Sequence, residues 1–426
     1  MIKVNLSKLN LPFLLILFSV FGFSKNKVSF IEPIANSENV RTGLDVLIED
    51  HLDYLNSKNI GLITNHSGVT RNGEKNYKIF QQTKGINLQV IFAPEHGFHG
   101  EARAGTKVEY KNQNKIDPKI ISLYGRDRRP TIDMLEGLDL IIYDIQDIGT
   151  RFYTYISTLG MTMEVAAKKN ISIMILDRPN PLGGEVMEGA ILDTIYKSFI
   201  GYYPIPTRYG LTVGELSYMA CKNEWLSTTP QELIIVKMDN WRRSMYYDDT
   251  KLPWVKPSPN IPDLETAIIY PGMCLYEATN ISEGRGTEKP FKIIGSPWMN
   301  NTLSTTMSEM NLTGAMFSYK NFIPQSIKGK SENPKYKNIT CKGFEIHITD
   351  RDSFRSIHSA VLSLNQAYSL YNKQFELNHL RIKKLWGNDQ IILFLNKELS
   401  QKKLFNNLKK GLRKFKKKAK PYLLYN

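Results

Sequence analysis

Leu138-Asp139-Leu140-Ile141-Ile142-Tyr143, followed by Asp144-Ile145-Gln146-Asp147, joins a short apolar run to a polar exit. The same arrangement recurs at Ile60 to Thr64, Leu88 to Ala93 and Ile171 to Leu176. Their exits are Asn65-His66-Ser67-Gly68, Pro94-Glu95-His96-Gly97 and Asp177-Arg178-Pro179-Asn180. Each run is too short to span a membrane and lacks the polar alternation of a half-solvated strand. That is the pattern of parallel strands covered on both faces by crossover helices. Open parallel sheets bind ligands just beyond the carboxyl ends of their strands, so the reading predicts a Rossmann-like α/β domain whose single crevice collects all four exits.

Outward from these runs, residues 26–45 read as a polar, extended lead-in. Helix-like segments lie at Thr158 to Lys169 and Thr212 to Asn223, and a further strand at Glu232 to Met238 continues the β/α series. Thr212-Val213-Gly214-Glu215 has the Thr-x-x-Glu spacing of a capping box. Proline density over Pro253 to Pro262 ends regular structure. The chain therefore divides into a leader over 1–25, the Rossmann-like domain over 26–255 and a smaller α+β domain over 256–426. In that last part Thr266 to Tyr270 and Gly343 to Thr349 are strand-like, and Asp352 to Tyr371 is a long amphipathic helix.

A chain of 426 residues exceeds one ordinary core. Neither its apolar fraction, 42%, nor its aromatic fraction, 11%, is low enough for disorder. The net charge of +15 is concentrated: ten Lys or Arg and no acidic residue lie between Lys402 and Lys420, which leaves +5 for the rest. That tail is expected either to be a solvated helix face or to meet anionic envelope polymers or a membrane surface; no nucleic-acid motif accompanies it. Lys3 and Lys8 precede the apolar stretch Leu9 to Phe23, the layout of an export signal or uncleaved anchor. Export to the periplasm or cell envelope, with membrane association through this segment, is the expectation. Cys221, Cys274 and Cys341 are widely spaced and read as buried thiols or at most one bridge.

Pro94-Glu95-His96-Gly97-Phe98-His99-Gly100 sets a carboxylate and two imidazoles in a glycine-flanked turn at a strand end. Burial in such a crevice suits a carboxyl group to donate a proton near neutrality. Asp144, Asp147 and Asp177, with Glu95 and His96, could form a hard-cation or zinc site, although their spacing matches none of the common metal motifs, and aspartates after strands equally bind sugar hydroxyls or cap helices. Beyond the boundary, Glu277, Asn280, Glu283 and Arg285 cluster; Gly284 and Gly286 would let a ligand approach the backbone, and Arg285 would grip a carboxylate. Arg151 and Tyr153 add a cation and a stacking face. Dinucleotide, nucleoside triphosphate and α/β-hydrolase signatures are all missing from the sequence.

These motifs resemble the exo-β-N-acetylmuramidases, a bacterial family long described as a domain of unknown function. The resemblance rests on Gly61 to His66, Pro94 to Phe98, Asp144 to Gly149, Arg151 to Tyr155, Leu176 to Pro181, Pro257 to Asn260 and Asn280 to Gly286. His99 and Tyr209 depart from it locally. It implies an exo-acting glycoside hydrolase that needs no cofactor or metal and releases N-acetylmuramic acid from peptidoglycan-derived disaccharides or muropeptides. Glu95 is then the leading catalytic carboxylate, with Glu283 favoured over Glu277 and Asp144 as the second. Asn65, His66, His96, Gln146, Asp147, Arg151, Tyr153, Asp177, Arg178, Asn180, Asn260, Glu277, Asn280 and Arg285 are the expected substrate contacts. The rival readings are a metal-dependent amidohydrolase or esterase using His96, Asp144 and Asp177, and a peptidoglycan-binding protein without catalysis.

Overall fold

The computed structural model describes residues 27–34, 37–100, 118–125 and 128–426, so the leader lies outside the described residues. Seven strands form one sheet: β1 (Lys27–Ile31), β2 (Asn59–Thr64), β3 (Asn87–Ala93), β4 (Lys119–Ser122), β5 (Leu140–Asp144), β6 (Ser172–Leu176) and β7 (Glu232–Val236). Their spatial order is β1-β7-β6-β5-β2-β3-β4, and every pairing is parallel. The order runs outward in opposite directions from β2 and β5, which makes their junction the topological switch point. All of β5 is buried, as are the last four residues of β3, β6 and β7, which explains their unbroken apolar runs. The lead-in is more ordered than its composition suggests: β1 pairs in register with β7, from Lys27 opposite Glu232 to Ile31 opposite Val236.

Helices α1 (Gly43–Asp50), α2 (Asn76–Gln82), α3 (Tyr155–Lys168) and α4 (Val213–Lys222) make the crossovers. Thr42 and Thr212 cap α1 and α4 with full capping boxes, through Asp45 and Glu215. Past the proline passage come α5 (Leu264–Met273), β8 (Ile293–Ser296), α6 (Thr302–Glu309), β9 (Ala315–Phe322), β10 (Cys341–Ile348), α7 (Ser356–Leu370), α8 (His379–Trp386), α9 (Gln390–Leu395) and α10 (Gln401–Ala419). β8, β10 and β9 form a small antiparallel sheet. One expectation fails here, because Thr266 to Tyr270 belongs to α5 and is not a strand. Asp263 accepts from the Thr266 N–H and hydroxyl, each at 2.7 Å, and so nucleates the helix. The run is apolar all round and buried, a case in which periodicity does not separate helix from strand.

The two halves share their main core, while a second cluster, from Leu44 to Val236, belongs to the first half alone. A single apolar cluster runs from Ile141 and Tyr143 of the large sheet through α3 to Ile269, Phe344, Val361 and Trp386. The C-terminus returns to the first half: the Tyr425 hydroxyl donates to Asp177 at 2.7 Å, the Leu424 N–H to Glu215 at 2.8 Å, and Asn426 C=O accepts from the Arg243 N–H at 2.8 Å. The three cysteines are free and buried.

Candidate active site

Glu95 leaves β3 in a turn where His96 and Gly97 both take left-handed φ, 70° and 71°. A non-glycine residue held there stores strain of the kind found at functional sites. The turn opens onto a cavity of about 140 Å³ lined by Glu95, His96, Phe152, Tyr153, Thr154, Tyr155, Ile200, Ser258, Asn260, Ile261, Tyr270, Glu277, Arg285, Phe291 and Arg381. Four parts of the chain therefore meet: the β3 exit, the loop from β5 into α3, Ile200, and residues from the proline passage onward. Glu95 Oε2 accepts from the Thr154 hydroxyl at 2.5 Å, beside the first turn of α3. The Tyr155 hydroxyl donates to Pro257 C=O at 2.8 Å, fixing the boundary loop over that turn. Tyr153, Tyr155, Tyr270, Phe152 and Phe291 pack edge to face as an aromatic wall. The Asn260 amide donates to Lys330 C=O at 3.0 Å, and its buried Oδ1 has no hydrogen-bond partner among the described residues.

Glu277 forms the opposite wall between two guanidinium groups, Arg285 at 2.7 Å and Arg381. Burial alone would raise its pKa, but the two cations outweigh burial and hold it at about 2, so it stays ionised. Arg285 also meets Glu283 at 3.2 Å and lies 5.0 Å over the Phe291 ring. Burial opposes its charge, and the Glu277 and Glu283 carboxylates more than restore it, raising its pKa. Glu283, bound also by Lys335 at 3.0 Å, lines a neighbouring cavity of about 330 Å³ that shares the Glu277, Arg285 and Arg381 wall. It is not among the residues lining the cavity that holds Glu95.

Of the expected contacts, the cavity gathers Glu95, His96, Tyr153, Asn260, Glu277 and Arg285. The β2, β5 and β6 exits are instead tied to one another, Gln146 meeting both Ser67 and Pro179, so of the four exits only that of β3 lines the cavity. Asp144, fully buried, is engaged by Arg178 at 2.6 Å and by the Asn76 amide at 2.7 Å. Arg178 also donates to Val69 C=O at 2.9 Å. Asp177 caps the start of α4 by accepting from the Thr212 hydroxyl at 2.6 Å and the Gly214 N–H at 2.9 Å. With these carboxylates occupied by protein donors, His96, Asp144 and Asp177 do not assemble a shared metal cradle. Asn65 Oδ1 accepts from the Ser67 N–H and hydroxyl at 2.9 and 2.6 Å. His66 Nε2 meets Lys256 C=O at 2.7 Å. Gln146 donates to the Asp147 and Pro179 carbonyls, both at 2.8 Å. Asn180 donates to Leu211 C=O at 2.9 Å.

Three further expectations are corrected by contacts. Arg151 is fully buried and donates to the carbonyls of Ala190, Ile205, Leu385 and Trp386 at 2.6 to 2.8 Å, so it clamps α8 to the first half of the chain. Asn280 is spent on the backbone of Gln374 and Glu376. At Gly284 and Gly286, with φ of 76° and 82°, an added Cβ would strike Lys289 C=O at 2.8 Å and Gln325 C=O at 2.6 Å. These glycines admit the chain's own backbone, not a ligand. Asp147 is buried and does not line the cavity, accepting from the Gly149 N–H at 2.7 Å and from the Tyr209 hydroxyl. Thr154, Ser258, Tyr270, Phe291 and Arg381 were not singled out from the sequence as site residues. The unbalanced carboxylate of Glu277 was a hint that a second cation must exist, and nothing in the sequence locates it at Arg381.

The N-terminal model of the exo-beta-N-acetylmuramidase NamZ family matches residues 60–265, and its C-terminal model matches residues 268–425. Peptidoglycan beta-N-acetylmuramidase NamZ of Bacillus subtilis (strain 168) is 40% identical over 393 residues, 92% of each chain. Crystal structures of two DUF1343 family proteins from Bacteroides fragilis NCTC 9343 superpose with TM-scores of 0.83 and 0.70. Each is 30% identical and covers 91% of this chain and 99% of its own.

Proposed function

The chain belongs to the exo-beta-N-acetylmuramidase NamZ family, and from that premise we propose that the cavity around Glu95 is where it hydrolyses peptidoglycan. It is an exo-acting glycosidase, and its substrate class is peptidoglycan fragments ending in N-acetylmuramic acid. In our reading Glu95 protonates the leaving glycosidic oxygen. The observation that carries this is local: of the two carboxylates in the cavity, Glu277 is locked between guanidinium groups, whereas Glu95 is held by a hydroxyl. Glu277 would serve the oxocarbenium-like centre as fixed negative charge. With its oxygens so engaged, the substrate's 2-acetamido group becomes the favoured nucleophile.

Sugar selectivity would rest on Arg381. Arg285 already meets two carboxylates, while Arg381 meets Glu277 alone among the described residues and is 44% exposed, which leaves it donors for the lactyl carboxylate. Asn260 Oδ1 supplies an acceptor for a sugar hydroxyl. Incubating the purified chain with a muramic-acid-terminated disaccharide and detecting free N-acetylmuramic acid by mass spectrometry tests the reading. Release by the wild type and its loss in Glu95→Gln is the expected result. Binding without release would return the protein to the non-catalytic alternative.

A further inference from the structure

Sharing no lining residue with the cavity of Glu95, a groove of about 840 Å³ runs between α10, the start of α7 and the 185–189 loop. Its floor is apolar: Val186, Met187, Ile357, Phe405, Leu408 and Leu412. Phe405 is braced edge to face on His358 at 4.6 Å. Its rim is cationic, with Arg355, Lys409, Arg413 and Lys416. Of the two glutamates beside them, Glu188 is already paired with Arg208 at 3.4 Å, so Glu185 alone opposes four positive groups.

The rim belongs to a larger field. α10 spans 19 residues, about 28 Å. Leu404, Phe415 and Ala419 anchor it to the core. All ten Lys and Arg side chains between 402 and 420, nine of them on α10, are exposed, and none makes an ion pair with a carboxylate among the described residues. A like-charged surface of this density costs self-repulsion and is relieved by an anionic counterpart. A polyanion such as a wall polymer would use the charges and leave the apolar floor unmatched. A phospholipid uses both, with its phosphate among the rim cations and its acyl chain along the floor.

We propose that this groove and the outer face of α10 dock the protein on an anionic phospholipid surface. The test uses the full chain with vesicles of phosphatidylcholine, either neutral or carrying about 30 mol% phosphatidylglycerol. Binding to neutral vesicles measures the N-terminal segment, and the excess on anionic vesicles measures the groove. Lys409→Glu, Arg413→Glu and Lys416→Glu together should cut that excess on the order of 100-fold. Leu408→Asn with Leu412→Asn should also reduce it, and hydrolysis of a disaccharide in solution, unchanged in both variants, reports that they fold. On the wild type, phosphatidylglycerol with a photoreactive acyl chain should label residues 185–189 or 405–416. Equal binding to both vesicles, labelling confined to the first 26 residues, or capture by anionic wall polymer with no vesicle binding would each overturn the proposal.

Discussion

Asp147 is fully buried, and burial raises its pKa to about 6 although Tyr209 and the Gly149 N–H hold its ionised form. The native carboxyl therefore keeps its proton to higher pH than the unfolded one. Its ionisation costs the fold about 3 kcal/mol, nothing below the ordinary aspartate pKa, growing as pH rises to about 6 and constant above it. Asp147→Asn should flatten the loss of stability between about pH 4 and 6. Denaturant melts of both proteins across that range check this, and parallel curves would refute it. Arg285→Ala leaves Glu277 with Arg381 and Glu283 with Lys335, so it should cost about 1 to 3 kcal/mol of stability and impair muramic and glucosamine substrates alike. Arg381→Ala should lower kcat/KM for the muramic substrate about 10- to 100-fold and leave the glucosamine analogue nearly unchanged. A selectivity loss at Arg285 with none at Arg381 would reverse their roles. Glu95, Tyr153 and Asn260, singled out through local motifs, line one cavity. The fate of Asp144, Asp177 and Arg151 was not legible, since nothing in a sequence says which donors a buried charge will meet.

At the level of elements, the four apolar runs and the Thr212 capping box were readable because burial on both faces and helix starts leave local patterns. Thr266 to Tyr270 was not, because Asp263 decides its conformation from outside the run. The loop from β5 into α3 bears the most weight in the site, since Thr154 holds Glu95 and Arg151 holds α8. Burial brings Arg151 to about 9, still a cation at neutral pH, and its charge is solvated by four carbonyls. Arg151→Met leaves those carbonyls without donors and should destabilise the fold by at least about 3 kcal/mol. Where the variant is folded, its KM should stay near wild type. A stable variant with a raised KM would return Arg151 to the substrate.

For the whole molecule, one apolar cluster holds residues from both sides of the division expected near 255. That fusion fixes the cavity walls, Glu95 from one half and Glu277, Arg285 and Arg381 from the other. Lys3, Lys8 and the Leu9 to Phe23 stretch lead us to expect envelope or extracellular protein in cell fractions, and a wholly cytosolic chain with an intact N-terminus would refute export. The central claim is that Glu95 supplies the proton to the leaving group. Its most direct test compares Glu95→Gln with wild type on the natural disaccharide and on a nitrophenyl N-acetylmuraminide, whose leaving group needs little protonation. Turnover of the disaccharide should fall by about 10²- to 10⁴-fold and that of the nitrophenyl glycoside far less. Equal losses on both substrates, in a variant that still folds and binds, would contradict it.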